Sequence, residues 1–312
     1  MGKIAFVFPG QGAQAVGMGK DAYEASPAAR AVFEQADAAL GFKLSDIIFG
    51  GPEDALKQTA NTQPALLTVS AALLELVKGK VEPDYVAGHS LGEYSALVAA
   101  GVLSFEDAVR TVRKRGEFME AAVPGGQGAM AAVLGAERGA LAALCEAVSA
   151  EAGAVELANV NCPGQIVVSG TAAGVAAIAE RGKEAGAKRV IPLEVSGPFH
   201  SSLMQPAAEK LAAVLADVAM ADARVPVVAN VTAEPVIAAA DIRALLAKQV
   251  VSPVLWEDTV KKLVALGVDT FVEIGSGTVL AGLIKKTDKS VKVVSANSMA
   301  ALEALADELA LG

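Results

Sequence analysis

A single junction restricts the fold more than any other feature of this sequence. The apolar run Tyr85-Val86-Ala87 ends in Gly88-His89-Ser90-Leu91-Gly92 and passes at once into an alanine-rich apolar segment. A short apolar run bounded by glycine reads as a buried strand, and the segment behind it has the composition of a helix. A strand that becomes a helix within one tight turn belongs in a mainly parallel α/β sheet, with the helix packed back against it. The two glycines permit the turn, and G-x-S-x-G in this setting is a nucleophile elbow, which raises the serine hydroxyl above the sheet. The next backbone N–H, that of Leu91, sits at a helix start and can donate to an oxyanion. The ordinary alternative is a turn that contains Ser90 by chance, and the flanking strand and helix weigh against it.

The remaining pattern agrees with an α/β reading. Residues 3–8 read as a strand, 21–40 and 64–78 as helices, 84–88 as a strand, and a helix follows from about 91. A flexible break falls at Pro124-Gly125-Gly126-Gln127-Gly128. Beyond it come a strand at 129–135, a helix at 137–152 and strands at 154–160 and 165–170, then a helix at 172–186 and a strand at 188–195. That order, βαββαβ, is ferredoxin-like. The α/β pattern resumes with a strand at 225–231, helices at 240–250 and 257–266, and strands at 269–274 and 291–295. The expected division is a large α/β domain of residues 1–124 and 195–312, interrupted by a small one of 125–194. A cleft between them is the natural ligand site.

Composition removes several functions from consideration. With 53% hydrophobic and 20% charged residues in 312, the chain can bury a large core and is not disordered. A net charge of −9 argues against nucleic acid or an anionic membrane as the main partner. Two cysteines, Cys145 and Cys162, suggest neither a disulfide framework nor a metal site, and free thiols fit a reducing cytoplasm. The run 65–77 is too short to span a bilayer and carries Thr68, Ser70 and Glu75. No secretory signal is legible, and a soluble, cytoplasmic protein is expected.

A serine hydroxyl needs a base, and the chain has only two histidines. His89 adjoins Ser90, and neighbours at a turn point apart, so it reads as structural or lining. His200 lies in a strand-to-helix loop, 196–206. Alone it would read as a surface or capping residue, but beside a nucleophile candidate it becomes the expected general base. The loop 8–14, Phe-Pro-Gly-Gln-Gly-Ala-Gln, lets the backbone approach a ligand at Gly10 and Gly12, and Gln11 can donate there. It lacks a full dinucleotide or Walker pattern, so nucleotide binding is not expected. In the basic run 110–118, an arginine facing the cleft would grip a carboxylate with two parallel bonds. Spacing does not choose among Arg110, Arg113 and Arg115, and most such residues form a solvated face.

PGQGAQ at 9–14, NTQPA at 61–65, GHSLGEY at 88–94, RKRG at 113–116, NVNCPGQ at 159–165, GPFHS at 197–201 and QVVSPVLW at 249–256 occur in one order. Together they resemble the malonyl-CoA:acyl carrier protein transacylases, the stand-alone acyltransferases of dissociated fatty acid synthesis. The likeness extends to EIGSGTVLAGL at 273–283. It implies a hydrolase-like parallel-sheet core with a ferredoxin-like insert, and transfer of malonyl from coenzyme A to acyl carrier protein through Ser90. It further implies His200 as base, backbone amides of Gln11 and Leu91 as oxyanion donors, and Arg115 as the carboxylate partner. The main-chain carbonyl of Gln249 would orient His200 in place of a triad acid. Gln63 and Asn161 would line the site, and Phe199 would crowd a branched acyl group. No cofactor is implied, coenzyme A thioester being a substrate, and a monomer is expected.

An acidic enzyme that serves an acidic carrier needs local cations, and Lys188, Arg189, Lys285 and Lys286 are the candidates. Ala13 and Ser276 stand where many members of the family carry Ser and Pro, which touches loop geometry alone. The rival readings are a serine thioesterase or hydrolase, which shares the elbow, and a non-catalytic docking module for acyl carriers.

Overall fold

The computed structural model describes residues 2–310. Its strands, in chain order, are β1 Lys3–Phe8, β2 Tyr85–Gly88, β3 Gly128–Leu134, β4 Val155–Cys162, β5 Gln165–Thr171, β6 Arg189–Pro192, β7 Val227–Val228, β8 Pro235–Val236, β9 Val254–Leu255, β10 Val268–Ile274 and β11 Lys292–Ala296. They form two sheets, ordered β11-β10-β1-β2-β7-β8 and β6-β3-β5-β4-β9. The first is parallel from β11 to β7 and closes with the antiparallel β7–β8 pair. Strand β1 explains why this sheet has helices on both faces. Phe6 and Phe8 enter one apolar cluster while Ala5 and Val7 enter another, so both sides of the strand are buried.

The second sheet realises the ferredoxin-like order, with its outer strands β6 and β4 flanking β3 and β5 in antiparallel pairs. Val133, Leu141, Val148, Ile166, Val168 and Ile178 make its own apolar cluster. One strand of this sheet was not expected: β9, from the later part of the chain, joins it parallel to β4, through Asn159↔Val254 and Val160↔Leu255.

Other departures have local causes. The helix expected at 21–40 is two helices, Lys20–Ala25 and Pro27–Leu40. Ser26 is extended between them, and its side chain caps the second by accepting from Ala29 N, with proline at the first turn. The helix expected from 64 begins at Thr59 and holds Pro64 inside it. Proline cannot donate to the carbonyl one turn back, but Arg113 Nη1 donates to that oxygen, on Ala60, at 3.0 Å. The strand expected at 225–231 shrinks to two residues because the chain turns back into β8, with Ala233 at φ 54°. The strand expected at 188–195 keeps Arg189–Pro192 alone.

Strands β1 and β2 pair in parallel, so their carboxyl ends open side by side. The loop after β1 meets the elbow after β2 there: His89 N donates to Phe8 O at 3.0 Å. A Cβ on Gly10 would lie 2.3 Å from His89 O, so only glycine lets the two loops touch. Ligand sites of α/β sheets lie at such carboxyl ends.

Candidate active site

Ser90 is the first helix-side residue of the turn and stands at φ 53°, the left-handed region that a serine occupies at a cost of about 1–3 kcal/mol. Glycine is obligatory on either side, since a Cβ at Gly88 would fall 1.9 Å from Gly92 O and one at Gly92 would fall 2.1 Å from Phe8 O. Asn230 holds the strained turn from both ends. Its Oδ1 accepts from Ser90 N at 2.8 Å and its Nδ2 donates to Gly88 O at 2.6 Å.

His200 also has a positive φ, 57°, which turns its ring back toward the elbow. Its Nε2 lies 2.7 Å from Ser90 Oγ and its Nδ1 lies 2.9 Å from Gln249 O. A carbonyl only accepts, so Nδ1 carries the hydrogen and Nε2 presents its lone pair to the serine hydroxyl. Burial, with the Arg115 charge adding to it, pushes the His200 pKa down to about 3, so the imidazole is neutral and ready to take a proton at pH 7.

Burial separates the three arginines, among which spacing did not choose. Arg110 and Arg113 bond to Ala39 O and to Glu117 and Asn61. Arg115 is 1% exposed and donates to Gln63 Oε1 at 2.7 Å, Gln249 Oε1 at 2.8 Å and Ser90 Oγ at 3.1 Å. None of these acceptors is a carboxylate, and its Nε has no hydrogen-bond partner among the described residues. A buried guanidinium surrounded by neutral acceptors beside a serine hydroxyl is suited to bind an anion. Gln63 is held in turn through Met119 Sδ at 3.3 Å.

A cavity of about 420 Å³ opens beside the elbow between the two sheets, lined by Gln11, His89, Asn161, Lys57, Leu193 and Leu280 among others. Asn161 enters it from β4, with Oδ1 2.8 Å from His89 Nε2. His89 is therefore a lining residue, as expected, and its ring packs against Trp256 at 5.7 Å. Gln11 sits on the cavity wall, with Nε2 donating to Thr59 Oγ1 at 3.1 Å. Phe199 belongs to the large apolar cluster at 5% exposure and is not part of the cavity lining. Lys188, Arg189, Lys285 and Lys286 are exposed. They also stand outside the lining, on segments that lead to its rim at Leu193 and at Val279, Leu280 and Leu283. Lys285 is tethered to Val291 O.

Three residues escaped the sequence reading. Asn230 sat inside an apolar run, and Glu93 inside an apolar helix. In each case a lone polar side chain amid buried neighbours was the available signal. Lys57 reaches the cavity from a short helix and gave no signal. Among the described residues no cluster of His, Cys, Asp or Glu is arranged to hold a metal ion, and no helix is long and apolar enough to cross a membrane.

This combination of elbow, Ser–His pair and buried arginine has close counterparts. The acyl transferase domain family matches residues 5–305. The malonyl CoA-acyl carrier protein transacylase of Bacillus subtilis (strain 168) is 57% identical over 304 residues, covering 97% of this chain and 96% of that protein. The acyl-carrier-protein-S-malonyltransferase of Bartonella henselae superposes with a TM-score of 0.96 at 46% identity, over 99% of this chain and all of the other, 100%. A malonyl-transacylase solved in complex with its type II PKS acyl-carrier protein superposes at 0.95 with 41% identity, over 98% of this chain and 99% of that one. Identity of this order over the whole length, with the Ser90–His200 pair and Arg115 meeting at the carboxyl ends of β1 and β2, places the chain in the malonyl CoA-acyl carrier protein transacylase family.

Proposed function

We propose that the protein moves a malonyl group from coenzyme A to the phosphopantetheine thiol of an acyl carrier protein, in fatty acid biosynthesis, by a ping-pong reaction through Ser90. One observation carries this most: a buried guanidinium, without a carboxylate acceptor, 3.1 Å from the nucleophile. Arg115 takes the malonyl carboxylate in a two-pronged grip and so aligns the thioester carbon over Ser90 Oγ. Oγ attacks that carbon as its proton passes to His200 Nε2, and the main-chain N–H groups of Gln11 and Leu91 receive the negative oxygen. Collapse of the tetrahedral intermediate breaks the C–S bond, and the proton on His200 leaves with the coenzyme A sulfur. The carrier thiol then gives its proton to His200 and attacks the malonyl-serine ester. When the C–O bond breaks, that proton returns to Ser90. Gln249 O keeps the imidazole in the working tautomer throughout, a task that an aspartate performs in many triads.

Gln63 supports Arg115, Asn161 faces the acyl-bearing arm, and Phe199 backs the base from within the apolar cluster. Lys188, Arg189, Lys285 and Lys286 receive the acidic carrier. We take residues 125–194 as an inserted domain and 1–124 with 195–312 as the catalytic one, a division supported by the separate apolar cluster of the insert. A cytoplasmic monomer without a resident cofactor fits the two free thiols and the dispersed exposed apolar side chains Val16, Leu193, Ile237 and Val279.

The test is mass spectrometry of the intact protein after exposure to malonyl-CoA, then to carrier protein. A malonyl adduct on Ser90 that moves to the carrier faster than to water is expected, with Ser90→Ala taking up none. Release as free malonate without transfer would instead identify a hydrolase.

A further inference from the structure

Glu93 is a carboxylate for which the reaction above has no task. It is the second residue of the helix Gly92–Ala99, 3% exposed, and its Oε2 accepts from Asn230 N and from Gln249 Nε2, both at 3.0 Å. Burying a carboxylate without a cation in contact is costly, so its position calls for a reason. The Gln249 side chain supplies one. Its Nε2 faces Glu93 Oε2, Ser90 O at 3.0 Å and Asn230 Oδ1 at 3.2 Å, while its Oε1 faces Arg115 Nη2 at 2.8 Å. A carboxamide turned over by half a revolution occupies the same space but exchanges its donor and acceptor ends. In the reversed sense Gln249 would aim N–H groups at a guanidinium, which has no acceptor. Of the oxygens that hold the amide the right way round, Glu93 Oε2 is also fixed by Asn230 N, and although burial raises the Glu93 pKa to about 7, that oxygen remains an acceptor for Gln249 Nε2 in either protonation state.

We propose that Glu93 is a positioning residue which, through the Gln249 carboxamide, holds Arg115 aimed at the acyl carboxylate and so sets the preference for carboxylated acyl groups. Interposing Gln249 matters. A glutamate in direct contact with Arg115 would occupy the face that substrate needs, whereas one amide away it steadies the arginine and leaves that face open. The inference rests on Arg115 being the carboxylate receptor. The competing view is that Glu93 only ties the β7–β8 segment to the elbow helix through Asn230 N, a role that would affect every acyl donor alike.

The experiment measures two rates on the full-length protein: Ser90 loading from malonyl-CoA, and Ser90 labelling by a neutral fluorophosphonate reagent. Both need Ser90 and His200, but only the first places a carboxylate on Arg115, and their ratio is independent of the folded fraction. Glu93→Ala should lower the ratio about tenfold, the scale of one buried hydrogen bond. Glu93→Gln, whose oxygen can still accept from both donors, should hold the ratio within about threefold. If Glu93→Ala does not fold, Gln249→Ala, which keeps the main-chain carbonyl, must show the same tenfold fall. A ratio unchanged in the folded variant, or lost equally in Glu93→Gln, would overturn the inference. Absence of malonyl loading in the parent protein would instead overturn the malonyl reading beneath it.

Discussion

Arg115 illustrates how a side chain's neighbours, more than its own chemistry, give it a task. Three arginines share one helix, and the one that is buried among neutral oxygens is the one that can bind an anion. Arg115→Ala should weaken malonyl loading by about 2–5 kcal/mol, the usual consequence of removing one partner from a desolvated charge pair. Acetyl loading should fall far less, and equal losses on the two thioesters would remove the clamp role. His200 supports a second prediction at this scale. Its pKa is lowered from 6.5 to about 3, so it stays neutral as pH falls. The kcat/KM for malonyl-CoA should therefore remain level from about pH 8 down to about pH 5. A decline centred near 6.5 in that profile would mean that the imidazole is not shielded as the structure has it. The dyad was legible in the sequence because Ser90 carries a local motif and only one other histidine lies away from it. Asn230 and Glu93 were not legible, since their meaning is a set of distances to residues far along the chain.

Helices and strands carry their own titration behaviour. Glu273, at the end of β10, is fully buried, and its carboxylate accepts from Leu280 N at 3.0 Å and Ala281 N at 2.8 Å, which caps the helix Val279–Thr287 at the cavity rim. Burial outweighs those two bonds and raises its pKa from 4.5 to about 7. The folded protein thus holds this proton more tightly than the unfolded chain, so the contribution of Glu273 to stability is fullest at or below pH 4.5 and declines as pH rises to about 7. Glu273→Gln cannot titrate, so the Tm of the parent relative to the variant should fall across that interval and then level off. A Tm gap that widens with rising pH would show that the helix N-terminus prefers the charged form. Element boundaries were the least legible part of the fold. Pro64 inside a helix and a two-residue β7 depend on Arg113 and on the β8 hairpin, partners that no local pattern reveals.

At the scale of the whole molecule, the βαββαβ insert was readable because its strands are consecutive and alternate regularly. The tie from β9 to β4 was hidden, being two residues long and distant in sequence. The same scale sets the problem of partner choice. A protein of net charge −9 that serves an acidic carrier must present cations where the two meet. Exposed Arg189 and Lys286 stand on segments flanking the cavity mouth. Reversing both, Arg189→Glu with Lys286→Glu, should raise the KM for carrier about tenfold, with the loss concentrated in association at low salt. Malonyl-enzyme formation from malonyl-CoA should change by less than about twofold, because a rim charge acts on encounter more than on chemistry. Steady-state KM for carrier and single-turnover loading, each measured at low and high ionic strength, separate the two steps. An unchanged carrier KM at low salt would move the docking surface to another side of the cavity mouth.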